Sequence, residues 1–226
     1  MRWRRAAFTL GVAALLTLAL GTVAAQPPAR ATTQLVVAAN PHAAEAGRAT
    51  LRAGGSAVDA AIAVQLVLTL VEPQSSGLGG GAFMLVYDAP NVARAGSITA
   101  YEGRETAPAA ATPDMFLNAN GRADSFANSG VGGLSVGVPG ALRMLELAHR
   151  EHGRLPWAEI FTPAIALAEN GFEVSPRLHS LLDGFKRFAR GDDFRRYFFD
   201  DAGEPHPVGF NLKNPEYAAE IGRAHV

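Results

Sequence analysis

The sequence predicts an α+β fold in which several helices pack on a small antiparallel sheet. Three features favour it: a hairpin signal in the first half, hydrophobic periodicity near 3.6 in the second half, and no regular strand–helix alternation. The 226 residues are enough for one sizeable domain, and 48% of them are hydrophobic against 18% charged. This balance favours a packed core over disorder.

Composition also excludes several classes of function. The formal net charge is −1, and basic residues are not interleaved with aromatic ones, so no nucleic-acid partner is expected. The chain has no cysteine, which excludes disulfides, thiolate metal sites and a cysteine nucleophile. The six histidines lack metal-ligand spacing, and His149 and His152 are interpreted as solvated residues on the exposed side of a helix. No metal or other cofactor is expected.

The N-terminus resembles a secretory signal. Residues 1–25 combine arginines, a short apolar run and small residues before Gln26, which predicts cleavage there and a secreted or periplasmic protein. The alternative is an uncleaved membrane anchor over residues 6–25, which is about long enough to span a bilayer. Residues 26–34 then form a linker.

The next segment predicts a strand and two helices. The apolar run 35–39 is expected to be a strand, and Asn40 caps a helix over 41–53 that ends at Gly54-Gly55. Ser56 caps a second helix, 57–71, which is apolar nearly all round and is therefore expected in the core.

A hairpin and further helices follow. Residues 82–88 and 97–102 are expected to pair as antiparallel strands beneath the apolar helix 57–71. Residues 107–135, rich in small and polar side chains, predict an ordered excursion with little regular structure. The expected later helices are 141–152, 156–170 with Pro163 inside it, and an amphipathic one whose apolar residues run from Leu178 to Phe188.

The stretch between the core helix and residue 108 contains the functional candidates. Four glycines in residues 77–81 can adopt positive φ or admit a close neighbour, but they precede a strand, so a tight core turn is favoured over a nucleotide loop. Arg104 lies just past a strand end, where its planar fork suits a carboxylate. Chemistry alone leaves open a surface role, an ion pair with Glu102 or Glu105, or anion binding.

Several strings together resemble the gamma-glutamyltranspeptidase (glutathione hydrolase) family, from about Val36 to about Tyr217. These strings are ANPHAAEAGRATLRAGGSAVDAAIAV, EPQSSGLGGGAFML, YEGRETAPAAATPDMFL, GVPG and PAIALAENGFEVS. The resemblance implies part of an N-terminal nucleophile hydrolase αββα sandwich, in the large subunit of a proenzyme that cuts itself in two. It also implies that Arg104 holds the α-carboxylate of the substrate.

The family nucleophile is the threonine that begins the small subunit, activated by its own α-amine. No residue of this chain matches it, and Thr32-Thr33 lacks the motif, so no catalytic residue is assigned. The resemblance therefore implies a truncated large-subunit domain at 35–219, a non-native or truncated tail at 220–226, and no activity from this chain alone.

The implied partners are γ-glutamyl small molecules such as glutathione, and the self-cleaved small subunit. Two alternatives remain open. One is a non-catalytic secreted module that binds small carboxylates, and the other is a cephalosporin or glutaryl acylase of the same fold.

Overall fold

The computed structural model describes residues 30–90, 95–125, 129–130, 132–189 and 191–223. The chain divides into two units, residues 1–33 and 34–226, and in the first unit the described residues 30–33 form neither helix nor strand. The predicted signal segment, residues 1–25, and residues 26–29 of the predicted linker lie outside the described residues. The main elements of the second unit are α1 (Pro41–Arg52), α2 (Ala57–Val71), β1 (Ala82–Asp88), β2 (Ser97–Gly103), α3 (Ala141–His152), α4 (Trp157–Asn170), β3 (Phe172–Glu173), α5 (Pro176–Phe185), α6 (Asp192–Phe198), β4 (Asn211–Leu212) and α7 (Pro215–Arg223).

The caps of α1 and α2 are those that the sequence predicts. The Asn40 side chain accepts a hydrogen bond from the backbone N–H of His42 at 3.0 Å, and Gly54 has the positive φ of 93° that ends the first helix. Ser56 and Asp59 form a reciprocal capping box at the start of α2. Local side-chain chemistry therefore sets the boundaries of both helices.

Helix α2 is the centre of the core, as its sequence predicts. It packs against α1, α3 and α4, so apolar side chains on most of its circumference are enclosed. The buried apolar residues are Val58, Ala60, Ile62, Ala63, Leu66, Val67, Leu70 and Val71.

The predicted antiparallel hairpin is confirmed, but the prediction that α2 covers it is wrong. Strands β1 and β2 pair in register from Ala82 opposite Gly103 to Asp88 opposite Ser97, and the hairpin packs mainly on α3. Backbone contact at Gly103 allows this arrangement, because a Cβ there would lie 2.6 Å from Cβ of Met144. Helix α2 is already enclosed by its helical neighbours.

The opposite face of the hairpin is exposed and apolar. Alternation along the strands places half of the side chains on α3 and the other half outward. The exposed large residues are Phe83, Leu85, Tyr87 and Ile98.

The predicted strand at 35–39 is wrong. Both two-stranded sheets of the described residues pair elsewhere, and Leu35 and Val37 are 58% and 83% exposed. Val36 instead lies against α1, where its side chain contacts the position of Gly47. A strand needs a neighbouring strand for its backbone groups, and this apolar run instead belongs to a segment that lies along a helix.

The second half is mostly helical, and α3, α4 and α5 follow in the predicted order, whereas α6 and α7 were not predicted. The described residues of 107–135 contain little regular structure. Helix α4 continues through Pro163 and ends at Gly171, whose φ is 93°. The amphipathic helix predicted to reach Phe188 is shorter in the structure. Helix α5 ends at Phe185, and residues 186–188 form a 3-10 turn. Helix α7 packs on α4 and buries Ile221 fully. The assignment of 220–226 as a non-native tail stays a prediction.

Within the described part of the chain, no helix combines the length and the apolar character that a membrane span requires.

Candidate carboxylate-binding site

Arg104 lies at the edge of a surface cavity, immediately after the end of β2. Its side chain is 67% exposed, and the adjoining cavity has a volume of about 360 Å³. Residues 104–108 form one wall of the cavity, and residues 111, 115–116 and 134–137 form the rest. An accessible cation therefore faces a partly apolar recess of small-molecule size.

Two backbone connections bring these walls together. Thr106 and Val138 exchange N–H···O=C hydrogen bonds of 3.2 and 2.9 Å, which joins the segment after β2 to the segment before α3. The carbonyl of Gly80 accepts hydrogen bonds from the N–H groups of Gly140 and Ala141, both at 3.2 Å. The glycine-rich segment, the end of β2 and the start of α3 thus meet at Arg104.

Glu105 is the ion-pair partner of Arg104, one of the two candidates that the sequence left open. Nε of Arg104 lies 3.2 Å from Oε2 of Glu105, whose side chain is 35% exposed, while Glu102 lies exposed on β2. The same guanidinium has further N–H groups besides Nε–H, so the pair leaves donors for a ligand.

The glycine segment differs from its predicted role. None of Gly77, Gly79, Gly80 and Gly81 has a positive φ, and the segment is an exposed turn and not a core turn. Close approach of a neighbouring group explains the glycine at position 81 but not those at positions 77 and 79. A Cβ on Gly81 would lie 2.4 Å from Oε2 of Glu105, whereas one on Gly77 or Gly79 would meet nothing within 4 Å.

His149 and His152 are not on the exposed side of α3, contrary to the sequence interpretation. Nε2 of His149 lies 2.9 Å from the carbonyl oxygen of Leu155, and Nε2 of His152 lies 2.7 Å from the Tyr101 hydroxyl. His152 is covered by Tyr101 of the hairpin, whereas His149 lies against Trp157 and the buried Asp59. Among the described residues, no cluster of three or more His, Asp or Glu side chains could hold a metal ion.

Tyr101 anchors the strand that leads to Arg104. Its hydroxyl donates a hydrogen bond to Glu151 and its side chain is only 6% exposed. Burial, followed by the hydrogen bond to the Glu151 carboxylate, raises the pKa of Tyr101 to about 12. The phenol is therefore neutral across the physiological range, and the strand end is held on α3.

Sequence reasoning singled out Arg104 as a candidate and Glu105 as its possible partner, but not the other residues that line the cavity. Met115 and Phe116 border the cavity, and Phe116 is exposed. Gly137 lies against the Glu105 side chain, with its Cβ position 2.9 Å from Cβ of Glu105. The available signal was the second glycine cluster around 137–140, which indicates another close backbone approach.

Comparison with known proteins gives a consistent result. The family described as Gamma-glutamyltranspeptidase matches residues 43–223. The glutathione hydrolase proenzyme of Bacillus subtilis (strain 168) is 39% identical over 184 residues, which cover 81% of this chain and 30% of that protein.

Two crystal structures show the same likeness. Helicobacter pylori gamma-glutamyltranspeptidase superposes with a TM-score of 0.81 at 30% identity, over 88% of this chain and 56% of that one. A cephalosporin acylase from Bacillus halodurans superposes with a TM-score of 0.64 at 27% identity, over 91% of this chain and 40% of that one.

The fold is therefore a partial αββα sandwich of the N-terminal nucleophile hydrolase class, as the sequence resemblance implied. Within that class, the chain belongs to the gamma-glutamyltranspeptidase family. It spans about a third of the length of the curated relatives it matches, and it corresponds to their N-terminal part.

Proposed function

We propose that this chain is the carboxylate-binding part of an enzyme that cleaves γ-glutamyl amides such as glutathione. The nucleophile is an N-terminal threonine supplied by a small subunit that this chain does not contain. The threonine Oγ attacks the γ-amide carbon, the C–N bond breaks, and the α-amine passes the hydroxyl proton to the leaving amine. Water or an amino acid then takes the glutamyl group from the resulting ester.

The observation that carries the proposal is the exposed Arg104 beside the cavity. A free carboxylate of the substrate pairs with its guanidinium through charge-assisted hydrogen bonds. The cavity leaves room for the rest of a small molecule next to this contact. Holding one end of the substrate fixes the distance from the carboxylate to the γ-amide, which positions the bond to be cleaved.

Two observations support a second subunit. The Bacillus subtilis relative is named a proenzyme, and this chain covers 30% of it. The outward face of the hairpin exposes Phe83, Leu85 and Tyr87 side by side on one strand. Large contiguous apolar patches are uncommon on isolated soluble domains, so we propose that the small subunit covers this face.

The test uses the full-length protein from the complete reading frame and measures p-nitroaniline release from L-γ-glutamyl-p-nitroanilide. Arg104→Ala is expected to lower kcat/KM about 10- to 100-fold, the value of one lost charge-assisted hydrogen-bond pair. The control is Arg143→Ala, which removes an exposed arginine paired with Glu146 on α3. Unchanged kcat/KM in Arg104→Ala contradicts the proposed role.

A glutaryl or cephalosporin acylase is the second candidate, and the similarity to the Bacillus halodurans acylase favours it. Glutaryl and γ-glutamyl groups share the distal carboxylate and differ by the α-amine. Arg104 therefore accepts both, and a comparison of glutaryl with γ-glutamyl anilide separates the two activities. Faster cleavage of the glutaryl anilide assigns the protein to the acylases.

A non-catalytic secreted module for small carboxylates is the remaining alternative. It predicts a stable monomer of the present chain that binds L-glutamate, with affinity lost in Arg104→Ala. Aggregation of this chain through the exposed hairpin face contradicts that alternative.

We also propose that the protein is secreted or periplasmic, on the strength of the arginines and apolar run in residues 1–25. N-terminal sequencing of protein recovered outside the cytoplasm tests this, with a first residue at Gln26 as the expected result. Intact residues 1–25 on membrane-bound protein support the anchor instead.

A further inference from the structure

A groove lined mostly by apolar side chains lies between α5 and α6, and residues 73–75, which follow α2, complete its lining. Its volume is about 390 Å³, and it shares no lining residue with the cavity beside Arg104. We propose that this groove binds a small amphiphile with an apolar chain and one carboxylate, which is the chemistry of a free fatty acid. Such a ligand takes no part in the reaction of the proposed function.

The apolar stripe of α5 is only partly covered, and this leaves a surface for the chain of the ligand. Leu178 and Leu182 of α5 and Phe198 of α6 line the groove and are buried, so they form its floor. Phe185 and Phe194 line it from the same two helices and are 56% and 41% exposed, so they form its rim. Removal of this surface and of an alkyl chain from water is favourable, roughly in proportion to the apolar area covered.

One cation borders this apolar surface. Arg177, in the first turn of α5, lines the groove, and its side chain is 63% exposed. Its Nε lies 3.1 Å from Oε2 of Glu72, whose side chain is only 5% exposed. The contact orients the guanidinium and occupies Nε, so the terminal Nη groups remain as donors for an anion.

The Glu72 carboxylate is also held by two side-chain amides. Asn40 donates a hydrogen bond to Oε1 at 3.4 Å, and Gln74 donates one to Oε2. Glu72 does not line the groove, whereas Arg177 and Gln74 do. The charge that meets a ligand is therefore the guanidinium, and a carboxylate pairs with it through charge-assisted hydrogen bonds.

The size and the lining of the groove favour a small amphiphile. Ligand pockets of proteins have volumes of about 300–1,000 Å³ and are mostly apolar, with a few polar groups that fix the orientation of the ligand. Here the polar members are Arg177, Gln74 and Ser75. The first two bind the Glu72 side chain, and the Ser75 N–H donates to the Glu72 carbonyl at 2.9 Å. The polar groups are thus gathered at one place, which gives the headgroup a single position.

The experiment titrates the full-length protein with dansylaminoundecanoate, a fluorescent fatty-acid analogue, and displaces it with decanoate, methyl decanoate or acetate at submicellar concentrations. Decanoate is expected to displace the probe at about tenfold lower concentration than its neutral methyl ester, the value of a hydrogen bond to a charged group. Acetate, which lacks the apolar chain, is expected not to displace it. Equal potency of decanoate and its methyl ester, or of decanoate and acetate, overturns the proposal.

Two variants separate the headgroup from the chain. Arg177→Gln keeps an amide beside Glu72 and removes the charge, so the dissociation constant is expected to rise about tenfold for decanoate and not for the methyl ester. Phe185→Ala, at an exposed position that the fold tolerates, is expected to weaken both ligands about three- to tenfold because apolar contact is lost. Arg143→Gln and Leu147→Ala, at exposed positions of α3, are the matched controls and are expected to bind as wild type.

Three results overturn the proposal. The first is unchanged affinity for decanoate in both Arg177→Gln and Phe185→Ala. The second is binding of the probe by the 226-residue chain but not by the full-length protein, which shows that the remainder of the protein covers the groove. The third is sedimentation with phosphatidylglycerol vesicles that is lost in Phe185→Ala, without displacement of the probe by free decanoate, which assigns the groove to a membrane surface.

Discussion

The Tyr101 hydroxyl lies 2.7 Å from Nε2 of His152 and also donates a hydrogen bond to Glu151, so β2 is tied to the last turn of α3. Tyr101 is three residues before Arg104 in the chain. The contact therefore couples the end of the strand that presents the candidate site to the helix on which the hairpin packs.

Tyr101→Phe is expected to destabilise the protein by about 1–2 kcal/mol at pH 8, because it removes a hydrogen bond to a charged group while keeping the ring. Urea unfolding of the two proteins measures the difference. Tyr87→Phe is the matched control, since Tyr87 is exposed on the neighbouring strand and its change should be small. A stability equal to wild type in Tyr101→Phe contradicts the anchoring role.

The difference in stability between wild type and Tyr101→Phe is expected to depend on pH. The pKa of Tyr101 is raised to about 12 in the folded state from about 10 in the unfolded chain, so the unfolded state releases its proton first. The stability that Tyr101 contributes is complete below about pH 10 and is lost as the pH rises toward 12. The advantage of wild type over Tyr101→Phe should therefore shrink across that interval, while a constant difference would show that the hydroxyl is not buried.

Asp59→Ala is expected to be strongly destabilising, by about 3 kcal/mol or more, because three backbone donors lose their acceptor. Oδ2 of the fully buried Asp59 accepts hydrogen bonds from the N–H groups of Ser56, Arg154 and Leu155 at 2.8, 2.9 and 3.2 Å. Asp193→Ala removes a carboxylate that is 94% exposed and should change stability by less than about 1 kcal/mol. Denaturant midpoints measure both, and similar losses in the two variants would contradict the buried network.

Gly81→Ala and Gly79→Ala form a matched pair in one loop. The first is expected to cost about 1–3 kcal/mol of stability and to weaken carboxylate binding, because its methyl group meets Glu105 and the carbonyl of Gly103 at 2.8 Å. The second has open space and should behave as wild type. Thermal unfolding and glutamate titration measure both effects, and equal behaviour of the two variants would contradict the close packing of Gly81 against Glu105 and Gly103.

Ile221→Ala tests whether α7 belongs to the core. Removal of this fully buried side chain is expected to cost about 2–5 kcal/mol in the 226-residue chain, the usual range for isoleucine in a core. Ile98→Ala, at an exposed position of the hairpin, should cost less than about 1 kcal/mol there. Equal losses would show that α7 does not pack as described.

Most of the local structure could be predicted because its causes are local. Asn40 and Ser56 cap their helices through hydrogen bonds that span two or three residues, and Gly171 ends α4 with its own positive φ. Alternation in residues 82–88 likewise identified a strand of the hairpin. The error at 35–39 is also local in origin, because a short apolar run shows that a segment is partly buried without showing against what.

The sequence by itself determined the hairpin, the helices α1 to α5, the buried character of α2, the family and the candidate Arg104. Only the tertiary structure decided that the hairpin packs on α3, that His149 and His152 are covered, and that Glu105 lies between glycines of two segments. The physical reason is distance along the chain. Asp59 accepts a hydrogen bond from Arg154, 95 positions away, and no periodicity or cap in the sequence specifies such a contact.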